Sequence, residues 1–382
     1  MNSKETGKKK IVLIGPVYPY KGGIAHYTSL LYRNLIKEHD VRLISYKMQY
    51  PRLLFRKPQK DPSSDVFKVE DAEFLINTAN PVNIIKVAGY IKSLKADAVI
   101  MEWWHPYFAP CYRILESAMG RDIKKLFVCH NVFPHERFPL DRSLTKLVLK
   151  RGDRFILHDK SDAADLMTIK KDARYIVSPH PSYNAFRIRG LSKDEAREEL
   201  KIPPGDKLLL FFGFVRPYKG LKYMLEAMPG IIKDQKDIRL YVVGSFGQDK
   251  DEYLEMIGRL GISENVSIFD GYAGDDQVEK YFAACDLVVC PYVSATQSGI
   301  VQIAYGFEKP VLATDVGGLP DVVIDKRTGY LIKAGDADAI SDAVIDYYDN
   351  DREKEFAANV KEENRRFSWD VMRENIDKLM EI

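Results

Sequence analysis

Short apolar, β-branched runs recur along this chain, separated by stretches in which apolar residues return at helical spacing. That alternation predicts parallel α/β units. In the first half the strand-like runs are Ile11–Ile14, Val41–Ser45, Ala98–Met101, Leu126–Cys129, Arg154–Leu157 and Tyr175–Val177. In the second half they are Leu208–Phe212, Arg239–Val243, Val266–Ile268, Leu287–Cys290, Val311–Ala313 and Gly329–Ile332. Two sheets are therefore expected. Between them, Ser178–Gly190 carries Pro179 and Pro181 and leads into a charged helix-like stretch from Ser192 to Leu200, so a domain boundary is expected there. The halves share an architecture without an internal sequence repeat.

With 382 residues, 46% hydrophobic and 29% charged, the chain has the composition of an ordinary globular protein of two or three domains. No apolar run approaches the roughly 18 residues a spanning helix needs. Ile11–Val17 is short, contains Gly15 and Pro16, and reads as a strand rather than a signal peptide. Cys111, Cys129, Cys285 and Cys290 are too few for a disulfide framework and form no C-x-x-C pair, which points to a reducing, cytoplasmic setting. Charge is nearly balanced at 57 basic against 55 acidic residues. Its distribution is not: residues 1–60 hold 13 Lys or Arg against Glu5, Glu38 and Asp40. Such asymmetry can steer an anionic partner, or it can be a solvated basic face.

The first strand ends in Gly15-Pro16-Val17-Tyr18-Pro19-Tyr20-Lys21-Gly22-Gly23-Ile24, and a helical pattern follows directly. A strand, a glycine turn and a helix N-terminus suit a phosphate or carboxylate, although a Gly-Gly turn is also plain tight-turn chemistry. Neither G-x-G-x-x-G nor G-x-x-x-x-G-K-[ST] occurs here, so dinucleotide and P-loop readings lose most of their support. All seven histidines fall within the first 180 residues. His130 follows the run Leu126–Cys129 at its carboxyl end, where open α/β sheets place ligands, and could bond a substrate hydroxyl or phosphate or cap a turn. His105, after Glu102-Trp103-Trp104, is similarly placed. No acidic or cysteine partner sits at metal-ligand spacing from either.

In the second half, Leu208–Phe212 leads into Gly213-Phe214-Val215-Arg216-Pro217-Tyr218-Lys219-Gly220 and then a helical pattern. Arg216 offers a planar fork and Lys219 a point charge, a pair suited to a leaving diphosphate, with an ordinary exposed loop as the competing reading. Later, Thr296-Gln297-Ser298-Gly299 precedes a helix-like stretch after a strand, again a helix N-terminus able to hold phosphate or simply a Ser/Thr-capped helix. The string Asp249-Lys250-Asp251 lies in a charged stretch and reads as a solvated face.

The Gly-Gly turn, His130-Asn131-Val132, Arg216-Pro217-Tyr218-Lys219-Gly220, Thr296-Gln297-Ser298-Gly299, Lys309-Pro310-Val311 and Val316-Gly317-Gly318-Leu319-Pro320 occur in an order that resembles glycosyltransferase family 4, most strongly after residue 205. The resemblance implies an α/β chain of the GT-B fold, two Rossmann-like domains facing across a cleft. It suggests an N-terminal acceptor-side domain over 1–185, a C-terminal nucleotide-sugar-binding domain over 190–365, and a final helix over 366–382 returning to the first domain, starting near Phe367-Ser368-Trp369-Asp370. It implies a retaining hexosyltransferase of polysaccharide biosynthesis that moves a sugar from a nucleoside-diphosphate donor to a glycan or lipid-linked acceptor, without an essential metal or a cofactor beyond the donor. Carried over by motif, Gly22 and Gly23 would approach the donor phosphates or the acceptor, His130 would contact the transferred sugar, and Lys219 takes the diphosphate lysine position. Arg216 is displaced by two residues from the family's arginine, which would fall at Phe214. The family's two glutamates, eight residues apart, would fall at Ala295 and Ile303, so neither carboxylate is present. Sugar and ribose contacts would then come from Thr296, Gln297 or Gln302, with amides near Ser298 and Gly299 helping to hold the diphosphate.

Two other functions fit the same residues: a nucleotide-sugar 2-epimerase, whose acid and base carboxylates are not evident, and an inactive GT-B scaffold that binds a nucleotide sugar or a partner enzyme. Nucleic acid is not an expected partner. Tyr46, Tyr50, Leu53, Leu54 and Phe55 interleave with Lys47, Arg52, Arg56 and Lys57, a mixture that suits docking at an anionic membrane surface or forms a surface loop. A cytoplasmic, membrane-associated protein is the corresponding expectation.

Overall fold

The apolar runs become two parallel sheets, and their burial explains why they read as continuous rather than alternating. The computed structural model describes residues 8–55, 58–62, 65–134, 138–295 and 297–381. It divides into two units, the first being Met1–Pro179 with Trp369–Ile382 and the second His180–Ser368.

In the first unit the strands are β1 (Lys10–Ile14), β2 (Asp40–Met48), β3 (Glu73–Asn77), β4 (Ala98–Trp103), β5 (Lys124–Cys129), β6 (Arg154–Leu157) and β7 (Tyr175–Val177). They lie in the order β3-β2-β1-β4-β5-β6-β7, all parallel, with Leu13 of β1 in register with Leu43 of β2 and Ile100 of β4. A parallel sheet is covered on both faces, so both faces of its central strands are apolar. One face carries Val12, Ile14, Val99, Met101 and Phe127. The other carries Ile11, Leu13, Ile100, Leu126 and Val128, packed with Tyr27, Leu31 and Leu35 of the helix Gly23–Leu35.

That second face is completed by the last helix of the chain, Trp369–Glu381, through Met372, Ile376 and Leu379. Polar contacts fix it there. His39 Nε2 lies 2.7 Å from Asp377 Oδ1, Lys124 Nζ donates to the Met380 carbonyl at 2.7 Å, and Arg154 Nε donates to the Leu379 carbonyl at 3.2 Å.

β3 is absent from the sequence-derived strands. It is a short edge strand whose apolar run, Phe74-Leu75-Ile76, is only three residues long; Ile76 alone is buried, and the register with β2 shifts around Tyr46.

In the second unit the strands are β8 (Lys207–Phe212), β9 (Ile238–Gly244), β10 (Val266–Asp270), β11 (Leu287–Cys290), β12 (Val311–Thr314) and β13 (Gly329–Ile332). Their order is β10-β9-β8-β11-β12-β13, again parallel. The helix Leu221–Asp234 buries Leu221, Met224, Leu225 and Met228 against one face. Strand order reverses between β1 and β4 in the first sheet and between β8 and β11 in the second, which is where open α/β sheets open a crevice beyond the strand ends. No helix among the described residues is long and apolar enough to cross a membrane.

Candidate functional site

In the first unit, Gly15 follows β1, and a Cβ there would come within 2.8 Å of both Thr28 and Glu102. Only glycine lets the helix Gly23–Leu35 pack so closely over the end of β4. The turn that feeds this helix bends at Gly22 (φ +103°), and no neighbouring atom stands within 4 Å of a Cβ built on Gly22 or Gly23. The helix has no acidic residue in its first turn, and Gly22 at its N-cap has no side chain to cap it.

At the ends of β4 and β5, Glu102 and His130 meet. His130 Nε2 lies 2.7 Å from Glu102 Oε2, with the carboxyl fully buried and the imidazole nearly so. Burial pushes the Glu102 carboxyl well above its usual range and lowers His130 to about 3. Both shifts favour the same state, a neutral acid beside a neutral imidazole. The hydrogen bond between them fixes the orientation of the ring. Glu102 Oε1 has no hydrogen-bond partner among the described residues.

An aromatic cage fixes the imidazole. The Tyr27 ring stands edge-on to His130 at 4.7 Å, His158 lies 5.4 Å from it, and Trp369 packs on Tyr27 at 5.0 Å. His158 Nδ1 is 2.9 Å from the Ser178 carbonyl, and burial, with His130 beside it, lowers His158 to about 3. Sequence reasoning did not assign Glu102 a role. The signal for it is a lone acid inside an otherwise apolar strand, Ala98–Trp103. His105 takes the turn-capping role instead: its Nδ1 accepts from the Tyr107 amide at 3.1 Å, and its ring stacks on Phe138.

In the second unit, Lys219 ends a short 3₁₀ turn after β8. Its side chain is buried, and its Nζ lies 5.4 Å from the centre of the Tyr292 ring, just after β11. A Cβ on Gly213 (φ +99°) would sit 3.0 Å from Nζ and 3.3 Å from Ile300, so the glycine makes room for the ammonium near the start of the helix Gly299–Gly306. Tyr292 Oη and Ser298 Oγ are 3.2 Å apart, which ties the ring to that helix N-terminus. Burial lowers Lys219 to about 8, a cost of about 3 kcal/mol against an exposed lysine, and no acidic side chain among the described residues pairs with it. A buried cation, a helix N-terminus without an acid in its first turn, and a strand-order reversal thus converge on one place.

The remaining expected residues divide. Ser298 is buried in this cluster, and Gly299 opens the helix with clear space around its Cβ position. Gln302, one turn on, is fully buried, and neither atom of its amide has a partner among the described residues. Gln297 is half-buried, and Thr296 lies outside the described residues. Arg216 parts from Lys219: it is exposed, with Nη1 3.6 Å from where a Gly247 Cβ would stand, beside the loop after β9. Lys309 is structural, its Nζ donating to the Cys285 carbonyl at 2.7 Å. Asp249 and Asp251 lie at the start of the helix Lys250–Leu260, where Lys250 pairs with Asp270 at 2.8 Å. Among the described residues no three His, Cys, Asp or Glu gather as a metal would require.

Residues 192–367, within the second unit, match the family described as Glycosyl transferases group 1. The chain is 28% identical over 235 residues to a D-inositol 3-phosphate glycosyltransferase of Streptomyces scabiei, covering 59% of this chain and 52% of that protein. It is 31% identical over 179 residues to a phosphatidyl-myo-inositol mannosyltransferase of Mycobacterium leprae, 46% of each chain. The alignments thus span about half the length of these curated relatives. Among solved structures, sucrose-phosphate synthase of Thermosynechococcus elongatus aligns with a TM-score of 0.72 at 17% identity, covering 97% of this chain and 98% of that one. HepE of Anabaena, solved with UDP and glucose, aligns with a TM-score of 0.72 at 15% identity over the same shares. The fold is therefore GT-B.

Proposed function

We propose that the protein is a retaining hexosyltransferase that takes a sugar from a nucleoside-diphosphate donor and passes it to a glycan or lipid-linked acceptor. The observation that carries this reading is Lys219, a buried ammonium without an acidic partner, held beside the N-terminus of the helix Gly299–Gly306. A leaving diphosphate supplies the missing counter-charge, and its developing charge is stabilised by the ammonium and by amides near Ser298 and Gly299. The donor complexes of HepE, with UDP and with UDP-glucose, make a uridine nucleotide the first to try. Gln302 offers an amide donor and acceptor to the sugar or ribose, in place of the carboxylates that Ala295 and Ile303 lack. His130 contacts the transferred sugar, with Glu102 orienting the ring, and Gly22 and Gly23 serve the donor phosphates or the acceptor. Arg216 belongs to this reading as an assisting cation from its exposed loop.

One observation favours a second reading, an inactive nucleotide-sugar-binding scaffold: Ala295 and Ile303 stand where the resembling family carries its two glutamates. Incubation with a panel of nucleoside-diphosphate sugars and product analysis by mass spectrometry separates the two. Release of nucleoside diphosphate with sugar transfer supports the transferase. Tight nucleotide-sugar binding without transfer or hydrolysis supports the scaffold.

A further inference from the structure

A second candidate ligand site lies in the first unit, with neither Glu102 nor His130 in its lining. Described residues on either side of the end of β2, from Tyr20 and from Lys47 to Lys60, line an open cavity of about 820 Å³, within the size range of small-molecule sites. Hydrogen bonds hold Tyr50 and Gln59 of this lining together. The Tyr50 amide donates to Gln59 Oε1 at 3.2 Å, and Gln59 Nε2 donates to the Tyr50 carbonyl at 2.9 Å. The returning strand is stitched to the segment before the glycine turn: the Lys21 amide donates to the Gln59 carbonyl at 3.0 Å, and the Asp61 amide to the Pro19 carbonyl at 2.7 Å.

The lining has a one-sided chemistry. Among the described residues, Lys47, Arg52 and Lys60 line the cavity, no acidic residue does, and none of the three has an ion pair. Lys60 Nζ instead stands 4.9 Å over the Tyr20 ring. Beside these cations, Tyr50 and Phe55 stack at 5.6 Å with their planes 23° apart, giving the cavity an apolar wall. Three like charges around one space lower their mutual repulsion when an anion enters, and lysine and arginine hold phosphate oxygens by charge-assisted hydrogen bonds. A bare anion would make no use of the aromatic wall.

We propose that this cavity binds an acceptor carrying a phosphate ester, with the phosphate on Lys47, Arg52 and Lys60 and the attached group against Tyr50 and Phe55. Its role as an acceptor site rests on the transferase reading above; its preference for phosphate esters does not. A free sugar phosphate and a phosphorylated lipid headgroup share this chemistry.

The test uses the full chain and two arms. In one, calorimetry compares glycerol 3-phosphate and glucose 6-phosphate with glycerol and glucose. In the other, cosedimentation compares phosphatidylcholine vesicles with and without phosphatidylinositol. Preference for the phosphorylated probe is expected in at least one arm, the soluble arm indicating a free acceptor and the vesicle arm a lipid-linked one. Separate Lys47→Glu, Arg52→Glu and Lys60→Glu variants, all at exposed positions and checked for folding by circular dichroism, should each weaken that binding by about tenfold or more. UDP binding should be unchanged in all three. No phosphate preference in either arm, or a preference that survives all three reversals, overturns the proposal. Loss of UDP binding in the unsubstituted chain would overturn the donor reading while leaving the phosphate preference intact.

Discussion

His130 Nε2 and Glu102 Oε2 are 2.7 Å apart, although 28 residues separate them and the pair lies at the ends of neighbouring strands. Burial favours the neutral form of each group, and the bond between them orients the ring.

Glu102→Ala should destabilise the protein by about 1–3 kcal/mol, the range for leaving a buried hydrogen-bonding group unsatisfied. Glu102→Gln retains a donor toward Nε2 and should recover most of that loss. Urea denaturation of the two variants checks this; equal losses would mean that an amide of the same volume does not replace the carboxyl in the bond to His130.

His130→Ala should lower sugar transfer more than it weakens nucleoside-diphosphate binding, since the proposed contact is to the sugar. Steady-state turnover and calorimetric binding of UDP, measured on the same preparation, separate the two quantities. Parallel losses in both would assign His130 a structural role.

The pH dependence of diphosphate binding should come from Lys219. Its folded value is depressed to about 8, so below pH 8 the empty site already holds the cation, and Lys219 should contribute no slope there. Above pH 8 the ammonium must be reprotonated on binding, so affinity should fall by up to tenfold per pH unit. His130, lowered to about 3, should add no inflection between pH 5 and 9. Lys219→Met should remove the fall above pH 8; a fall that persists would assign it to another group.

Ile376→Ala in the last helix should cost about 2–5 kcal/mol, as for other large-to-small changes in a core, because Ile376 packs with β1, β4 and β5 residues of the first unit. Thermal or urea denaturation measures it. A loss below 1 kcal/mol would mean that the helix contributes little to that core.

How far the sequence carried the structure depends on the range of each interaction. β1, β4, β5 and β8 were legible because strands buried on both faces must be apolar at nearly every position. β3 was not, because at the sheet edge Ile76 is the one buried position and its neighbours are free to be polar or exposed. His130 and Lys219 were legible as strand-end residues, since their positions follow local order along the chain. Their partners were not. Glu102 meets His130 only through strand pairing, and Tyr292 comes under Lys219 only because β11 lies beside β8. The supposed pairing of Arg216 with Lys219 rested on closeness in sequence, whereas the 3₁₀ turn between them buries one side chain and leaves the other on the surface.

The central claim is that Lys219 is the diphosphate-stabilising cation of a sugar transferase, and turnover of Lys219→Ala against a nucleotide-sugar panel tests it most directly. Transfer by the unsubstituted chain, reduced by about two to three orders of magnitude in a variant that still folds, is the predicted result. Near-normal turnover in Lys219→Ala, or no turnover of any donor by the unsubstituted chain, would contradict it.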